Sequence, residues 1–334
     1  MRRKISILFI VLLLGLAVSG CINQPTTSTI TQTKTTTSTI TQTETVVKEP
    51  HYYPISVKDF ANRSITIEKE PKRIVSLAPS ITETLYYLGA LDRVVGITKF
   101  DNFPADVKEG RTVIGGFSDP NIELIASLKP DLIIITSMHY KYLEQLEQIA
   151  PVVVVDPGNI DEIYEQLELF GRILNKQGEA EGVINFMKAK IEEIEIKVAD
   201  KPKVKVFYIV WSNPLMTAGK GSFINDLITL AGGENIFEDV QGWPQVSIEE
   251  VLGRDPDVII LPPHAGITRE ELCKSELSKT SAVRNGRVFV ISDDDIVSRP
   301  SPRIVEGLEE FARLIHPQAF NYNVNLLVCN VTAS

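Results

Sequence analysis

The chain of 334 residues is long enough for two domains at roughly 100–200 residues each, and its 43% hydrophobic and 23% charged residues are typical of a globular protein. A formal net charge of −9 leaves no basic excess to neutralise phosphates, which excludes nucleic acid as the expected partner. The three cysteines do not form a disulfide framework, and their spacing fits no zinc site.

The N-terminus, residues 1–20, has the pattern of a secretory signal peptide. Basic residues at 2–4 precede an apolar run over 5–18, which is shorter than the ~20 residues of a spanning helix. Residues 18–21 (VSGC) resemble a lipobox, so we expect cleavage before Cys21 and a lipid on that cysteine. An uncleaved N-terminal anchor is the alternative. Both interpretations hold the rest of the chain at the outer face of the cytoplasmic membrane.

A Thr-rich stalk is predicted over residues 21–49. Within it, residues 25–47 contain the near repeat TSTITQTKT and TSTITQTET. This segment has too little apolar surface to offset the entropy of ordering, so we expect no regular structure there. Its predicted role is a tether that keeps the folded body clear of the membrane.

Short apolar runs alternate with helical stretches from Ile74 onward, which predicts an α/β fold. Because the runs are continuously apolar, they are typical of parallel strands that are covered on both faces. The predicted strands are 74–77, 131–136, 152–155, 204–210, 257–261 and 288–291.

One sequence pattern occurs twice, offset by 126 residues. Residues 117–131 (FSDPNIELIASLKPD) and 243–257 (WPQVSIEEVLGRDPD) align without a gap. Each has an aromatic residue, a helix start, a glutamate and Pro-Asp, and each runs directly into an apolar strand. The repeat predicts two structurally similar lobes.

A long helical segment lies between the two copies of the pattern. Apolar residues recur at three- and four-residue intervals over 161–174 and again over 179–199. The second helix would be roughly 30 Å long, enough to cross from one lobe to the other. A single rigid connector predicts limited lobe closure. The resulting boundaries are an N-terminal lobe at 50–158, a bridging segment at 159–199, a C-terminal lobe at 200–320 and a tail at 321–334.

Three aromatic residues are candidates for ligand contact: Phe100, Phe117 and Trp243. Phe117 and Trp243 stand in Gly/Pro-bearing loops ahead of helices, where α/β folds bind ligands. Flat aromatic rings suit a large, partly apolar ligand, although such residues also fill hydrophobic cores. Arg299, just before the last helix, is a candidate for binding an anionic group of the ligand.

Glu123 and Glu249 occupy the first turns of the two equivalent helices. Carboxylates there compensate the helix dipole. The functional alternative is a matched pair of exposed anions, one per lobe, that docks on basic residues of a two-fold symmetric partner.

No motif predicts catalysis, a resident cofactor or a metal site. The sequence contains neither HExxH nor GxSxG, and its four histidines are scattered. The run 293–295 (DDD) is predicted to be a solvated loop. Residues 219–222 (GKGS) lack the spacing of a phosphate loop and are interpreted as a turn that caps a helix. An enzyme is therefore not expected.

Several segments together resemble the iron-siderophore/cobalamin class of ABC-importer substrate-binding proteins, and most of all its vitamin B12-binding members. The resemblance covers about residues 72–317. It rests on residues 74–104, 115–135, GGENIF (232–237), WPQVSIEEVL (243–252) and SPRI (301–304).

This resemblance implies a class III periplasmic-binding-protein fold, with two Rossmann-like lobes joined by a single long helix and the ligand held between them. It places cleft aromatics at Phe100, Phe117 and Trp243, and a ligand-contacting stretch at Asp295–Arg299. It also implies that the glutamates at 123 and 249 form salt bridges with permease arginines.

The sequence departs from the vitamin B12-binding members at four positions. Ile296 and Val297 replace two aromatic residues, Thr136 replaces an aromatic residue at a strand end, and Ala231 replaces a disulfide cysteine. A Cys273–Cys329 disulfide is left open, because nothing in the sequence positions it.

The expected protein is a lipid-anchored monomer that delivers cobalamin or a related corrinoid to a permease dimer with its ATPase. A ferric siderophore or haem is the alternative cargo within the same class. A surface hydrolase or an adhesin is the alternative from a different class.

Overall fold

The computed structural model describes residues 30–33, 43–46 and 52–329. The chain divides into two compact units, of which the first ends at Tyr52 and the second begins at Tyr53. The predicted signal peptide, the lipidation site and most of the stalk lie outside the described residues and stay predictions. No helix in the described part of the chain is long and apolar enough to cross a membrane.

The first unit contains a short antiparallel pair of strands within the Thr-rich stalk. Strand β1 (Ile30–Thr33) pairs with β2 (Thr43–Val46). The prediction that residues 25–47 lack regular structure is therefore wrong for these two segments. Threonine, isoleucine and valine are β-branched, and their side chains favour the extended backbone of a strand.

The N-terminal lobe begins with an antiparallel hairpin of β3 (Ile55–Lys58) and β4 (Ser64–Ile67). A five-stranded parallel sheet follows. Its strands are β5 (Ile74–Ser76), β6 (Val94–Ile97), β7 (Thr112–Val113), β8 (Leu132–Ile135) and β9 (Val152–Val154). They lie side by side in the order β7-β6-β5-β8-β9. The helices of this lobe are α1 (Pro79–Tyr87), α2 (Ile122–Ser127) and α3 (Leu143–Glu147).

Every residue of β5, β8 and β9 is buried, as expected for parallel strands that are covered on both faces. The sequence predicts these three strands from their continuous apolar runs. It does not predict β6, β7 or the hairpin. Of these, β7 has only two residues, too few to carry a pattern.

Two consecutive helices lie between the two parallel sheets along the chain, and the longer of them is the long connecting helix that the sequence predicts. The first, α4 (Ile160–Leu174), is capped by Asn159, whose side chain accepts a hydrogen bond from the Glu162 amide. The second, α5 (Gln177–Val198), has 22 residues and is about 33 Å long. Both helices lie within two residues of their predicted bounds.

The C-terminal lobe has a four-stranded parallel sheet in the order β13-β10-β14-β15, with a small separate hairpin of β11 and β12. The strands are β10 (Val204–Tyr208), β11 (Trp211–Ser212), β12 (Leu215–Met216), β13 (Gly233–Asn235), β14 (Val258–Leu261) and β15 (Val288–Val290). The helices are α6 (Phe223–Leu230), α7 (Ile248–Arg254), α8 (Arg269–Leu272), α9 (Ser281–Arg284), α10 (Asp295–Ser298) and α11 (Ile304–Ile315). Strands β10, β14 and β15 are the three that the sequence predicts.

One continuous hydrophobic core joins the two lobes. It contains side chains of both parallel sheets, of α4 and α5, and of α11. Successive residues of β10 alternate between this shared core and a separate core of the C-terminal lobe, because side chains along a strand point to opposite faces. A wide hinge opening would expose part of the shared core to water, which agrees with the predicted limited closure.

The C-terminal tail packs against the separate core of the C-terminal lobe. Leu327 is buried there, and its amide donates a hydrogen bond to the Gly286 carbonyl at 2.7 Å. A disulfide between Cys273 and Cys329 fixes the end of the tail, with 5.5 Å between the two Cα atoms. The pairing left open by the sequence is thus present in the structure, and the tail belongs to the folded C-terminal lobe as far as Cys329.

Candidate ligand-binding cleft

The carboxyl ends of the two parallel sheets border a cleft of about 680 Å³ between the lobes. Each of the five strands of the N-terminal sheet is followed by a loop that lines it, through Ala78, Phe100, Phe117, Thr136 and Asp156. The C-terminal lobe contributes Gly221, Phe223, Trp243 and residues 298–300. Ligands bind at this end of α/β sheets. The three predicted aromatic residues are thus brought to one cleft, and their contact with a ligand stays a prediction.

The loop that presents Phe117 depends on a glycine. Gly115 has a φ of +120°, and a Cβ at this position would lie 2.6 Å from the carbonyl oxygen of Asp119. Only glycine tolerates this conformation and this close approach. The chain then reaches Asn121, whose side chain caps α2. The Gly-Gly pair before Phe117 therefore fixes the position of the ring relative to the helix behind it.

Buried His139 holds Phe117 in place. The Thr136 amide donates to His139 Nδ1 at 3.2 Å, so the proton of the neutral ring is on Nε2, which donates to the Phe117 carbonyl oxygen at 2.6 Å. The two rings also meet edge to face, with 5.3 Å between their centroids. Burial lowers the pKa of His139, with the Phe117 and Thr136 backbone groups opposing the shift. The sequence gives no sign of this role, because the contact joins residues 22 positions apart.

We expect His139→Leu to weaken ligand binding by about five- to tenfold, because it removes the hydrogen bond that positions Phe117. Tyr142→Phe is the matched control, since it removes only an exposed hydrogen bond to the neighbouring Ser118 carbonyl. Equal losses in the two variants, measured by titration calorimetry, would contradict the role of His139.

The same histidine makes a predictable contribution to pH dependence. Burial is the largest effect on its pKa, the charge of Lys141 lowers that pKa further, and the charge of Asp156 opposes the shift. Since the folded-state pKa is lowered, the unfolded chain binds a proton at His139 below about pH 6.5 that the folded chain does not. The stability contribution is therefore present above that pH and is lost as the pH falls through the folded-state pKa. Chemical denaturation should show a shallower loss of stability on acidification in His139→Leu than in the native chain.

Trp243 stands on the opposite wall of the cleft. Gly242, with a φ of +68°, turns the chain immediately before it. The indole is 43% exposed and meets Phe223 edge to face, with 5.5 Å between ring centroids. Phe223 is the first residue of α6, directly after Ser222, whose hydroxyl accepts a hydrogen bond from the Asn225 amide. The interpretation of GKGS as a helix-capping turn is confirmed.

The sequence does not single out two further cleft residues, Phe223 and Met138. The thioether side chain of Met138 is 59% exposed in a 3₁₀ turn over Ser137–Tyr142. Phe223 directly follows a glycine-bearing turn, and the same feature makes Phe117 and Trp243 candidates for ligand contact. Met138 carries no comparable signal, because an isolated methionine is most often a core residue.

A buried polar cluster crosses between the lobes beside the cleft. Glu83 in α1 is 1% exposed and accepts hydrogen bonds from Arg299 Nη1 at 2.7 Å and from the Ser301 hydroxyl at 2.6 Å. Arg303 lies 3.4 Å from the same carboxylate. Burial raises the pKa of Glu83, and the hydrogen bonds and guanidinium charges oppose that shift. We call Glu83, Asn102, Asp295, Arg299, Ser301 and Arg303 the cross-lobe cluster.

The burial of helix α1 explains why Glu83 needs partners. All six residues from Ser80 to Leu85 are buried, so α1 has no solvent-facing side along this stretch. A carboxylate there needs a cationic partner. The partners follow 216 and 220 positions later, which no local pattern can reveal.

The predicted ligand-contacting stretch 295–299 is divided between different environments. Arg299 lines the cleft, whereas Asp295 belongs to the cross-lobe cluster and is absent from the cleft lining. Ile296 and Val297 are buried in the shared core. These two departures from the vitamin B12-binding members therefore fill core positions here, while Thr136 does line the cleft.

The interpretation of residues 293–295 as a solvated loop is only partly right, since Asp293 and Asp294 precede α10 and the Asp293 side chain is 44% exposed, but the carboxylates are paired. Each carboxylate pairs with a different side chain, at 3.1 Å for Asp293 to Arg303, 3.0 Å for Asp294 to His264 and 2.7 Å for Asp295 to Arg299. The reason is that α10 begins within this run and turns successive side chains in different directions.

The two glutamates of the repeated pattern have equivalent positions. Glu123 and Glu249 lie in the first turns of α2 and α7, after the capping residues Asn121 and Ser247. Both are exposed, and neither forms an ion pair within residues 52–329. Their carboxylates are therefore available to a partner.

Residues 74–294 match the family model described as periplasmic binding protein. The chain belongs to this family. It is 33% identical over 279 residues to an uncharacterised ABC transporter substrate-binding lipoprotein of Bacillus subtilis, covering 80% of this chain and 87% of the relative.

Two solved structures support the assignment. A possible iron-binding (periplasmic solute-binding) protein from Staphylococcus epidermidis has 35% identity and a TM-score of 0.68, with 74% of this chain and 100% of that chain covered. The periplasmic vitamin B12 binding protein of Vibrio cholerae has 28% identity and a TM-score of 0.64, with 75% and 98% covered. The predicted family and the class III fold of two α/β lobes are confirmed.

Family membership makes the protein a substrate-binding protein of an ABC transporter, and its relatives are periplasmic or extracytoplasmic proteins. Proteins of this family carry solutes and are not enzymes. Substrate-binding proteins of ABC importers bind a small ligand and work with a permease and an ATPase.

Proposed function

We propose that the protein captures cobalamin or a related corrinoid in the cleft and delivers it, as a monomer, to an importer made of a permease dimer and its ATPase. The observation that carries the proposal is a cleft with aromatic rings on both walls and, among the described residues that line it, no unpaired cation. Phe100 and Phe117 face Trp243 and Phe223 across it. Such walls suit a broad, flat chelate with a partly apolar surface.

The charge of the lining favours an uncharged chelate. Arg299 is the only basic residue that lines the cleft in the described part of the chain, and it is already paired with Glu83 and Asp295. Asp156 is exposed in the lining, where its carboxylate can accept hydrogen bonds from amide groups. Cobalamin is a flat macrocycle fringed by amide side chains, so its chemistry matches both features.

A ferric siderophore or haem is the second candidate cargo. It is supported by the similarity to the Staphylococcus epidermidis protein, whose name gives it as iron-binding. Anionic chelates need cationic or strongly donating groups in the pocket. The paired state of Arg299 is the reason to rank this candidate second.

A lipid on Cys21 holds the protein at the outer face of the cytoplasmic membrane in this proposal. Cys21 and the predicted signal peptide lie outside the described residues. Support comes from the lipobox-like residues 18–21 and from the Bacillus subtilis relative, which is a lipoprotein. The stalk then separates the membrane from the binding lobes.

Titration calorimetry of the purified protein with cyanocobalamin, a ferric hydroxamate, a ferric catecholate and haem tests the cargo. We expect micromolar or tighter binding of cyanocobalamin and weaker binding of the iron chelates. Absence of cobalamin binding together with clear binding of an iron chelate would replace the first candidate by the second.

A further inference from the structure

We infer that Glu83 controls whether the cleft accepts a neutral or an anionic cargo, because its carboxylate neutralises Arg299, whose guanidinium group lines the cleft. The inference rests on the proposed function of the cleft as a chelate-binding site. It assigns to a residue outside the cleft a role in selecting between neutral and anionic ligands. Glu83 is thus a positioning and specificity-determining residue that need not touch the ligand.

The hydrogen bonds of Arg299 show why the guanidinium group is not free. Its Nη1 donates to Glu83 Oε1 and to Asn102 Oδ1, both at 2.7 Å. Its Nη2 lies 2.7 Å from Asp295 Oδ1 and donates to the Phe100 carbonyl oxygen at 3.3 Å. The side chain is only 13% exposed. An anion in the cleft would have to compete with four acceptors that are already in place.

Glu83 is the buried member of this arrangement. Its side chain is 1% exposed, whereas that of Asp295 is 25% exposed. Interactions between charges weaken with solvent screening, so the buried carboxylate has the larger effect on Arg299. Burial raises the pKa of Glu83, and the guanidinium groups of Arg299 and Arg303, both within 3.4 Å of the carboxylate, oppose that shift by favouring its ionised form.

The position of Glu83 also couples this charge to the shape of the cleft. Glu83 belongs to α1 of the N-terminal lobe, and its partners Arg299 and Ser301 belong to the C-terminal lobe. Through the Phe100 carbonyl, Arg299 is bonded to the loop that carries a cleft aromatic residue. One carboxylate therefore sets both the charge of the cleft wall and the contact between the lobes.

Glu83→Gln is the decisive variant, since glutamine keeps the size and the acceptor oxygen of the side chain and removes the charge. The probes are cyanocobalamin, which has no net charge, and a strongly anionic ferric tris-catecholate. We expect the ratio of the association constants, anionic over neutral, to rise on the order of tenfold, because the cleft wall gains uncompensated positive charge. Calorimetric titration of both probes against each variant gives the ratio.

Three further variants separate charge from packing. Glu306→Gln removes an equal charge from the exposed neighbour of Arg303, at 3.6 Å, and should leave the ratio unchanged. Glu83→Asp keeps the charge and should retain the native ratio. Combining Glu83→Gln with Arg299→Gln removes the cation itself, so the gain in anionic binding should disappear.

Parallel losses for both probes in Glu83→Gln, or an unchanged ratio, would mean that Glu83 has a structural role only and would overturn the inference. If that variant does not fold, Asp295→Asn removes the exposed carboxylate partner of Arg299 and should raise the ratio in the same direction. An unchanged ratio there overturns the inference as well.

If the native protein binds neither probe, the proposed function of the cleft fails and the inference fails with it. That result is distinct from binding with an unchanged ratio.

Discussion

Replacing both Phe117 and Trp243 with alanine is expected to lower the affinity for cyanocobalamin on the order of a thousandfold. In the proposed complex each ring covers a face of the chelate, and removing one large aromatic contact costs about 1.5–3 kcal/mol of binding free energy. Each single variant should therefore weaken binding about ten- to a hundredfold. Titration calorimetry of the two single variants and the double variant measures these losses.

Trp211→Ala is the matched control for this prediction. Trp211 is 42% exposed, almost the same as the 43% of Trp243, and it follows the carboxyl end of β10, but it does not line the cleft. It should change affinity by less than about twofold, since no contact with the ligand is lost. If Trp211→Ala lost as much affinity as Trp243→Ala, the ligand would bind somewhere other than this cleft.

The combined variant carries information of its own. Phe117 and Trp243 stand on different lobes and are held by different neighbours, His139 for the one and Phe223 for the other. The two losses in binding free energy should therefore be nearly additive. Strong non-additivity would mean that removing one ring already lets the ligand shift within the cleft.

The features that the sequence predicts correctly share a physical origin. Buried parallel strands are largely apolar, which makes β5, β8, β10 and β14 visible as apolar runs. The helix α5 is visible because its buried residues recur along one face. The offset repeat places Phe117 and Trp243 in equivalent loops because both lobes use the same strand-to-helix connection.

The features that the sequence does not predict depend on contacts between distant positions. Glu83 is separated from its three partners by more than 200 residues, and the sequence of its own helix does not indicate which residues they are. His139 is an unremarkable histidine until the fold brings Phe117 beside it. The pairing of Cys273 with Cys329 likewise requires the tail to return to the separate core of the C-terminal lobe.

Simultaneous replacement of Glu123 and Glu249 by alanine is expected to abolish transport while leaving ligand affinity unchanged. The two carboxylates are exposed in equivalent first turns, and each belongs to a different lobe. A permease dimer with two-fold symmetry can offer one basic site to each. Truncating one partner of a desolvated charge pair costs about 2–5 kcal/mol, so losing both should weaken docking by roughly a thousandfold or more.

Uptake of labelled cobalamin into vesicles that contain the cognate permease and ATPase measures transport, and calorimetry of the same preparations measures ligand affinity.

The matched control replaces Glu192 and Glu195 of α5, which are also exposed and form no ion pair within residues 52–329. This control makes the same change in net charge, so it removes general electrostatic attraction as an explanation. Transport should persist in the control and fail in the double variant of Glu123 and Glu249. A fall in ligand affinity that matches the fall in transport would instead assign the two glutamates to the cleft, because docking residues act only after the cargo is bound.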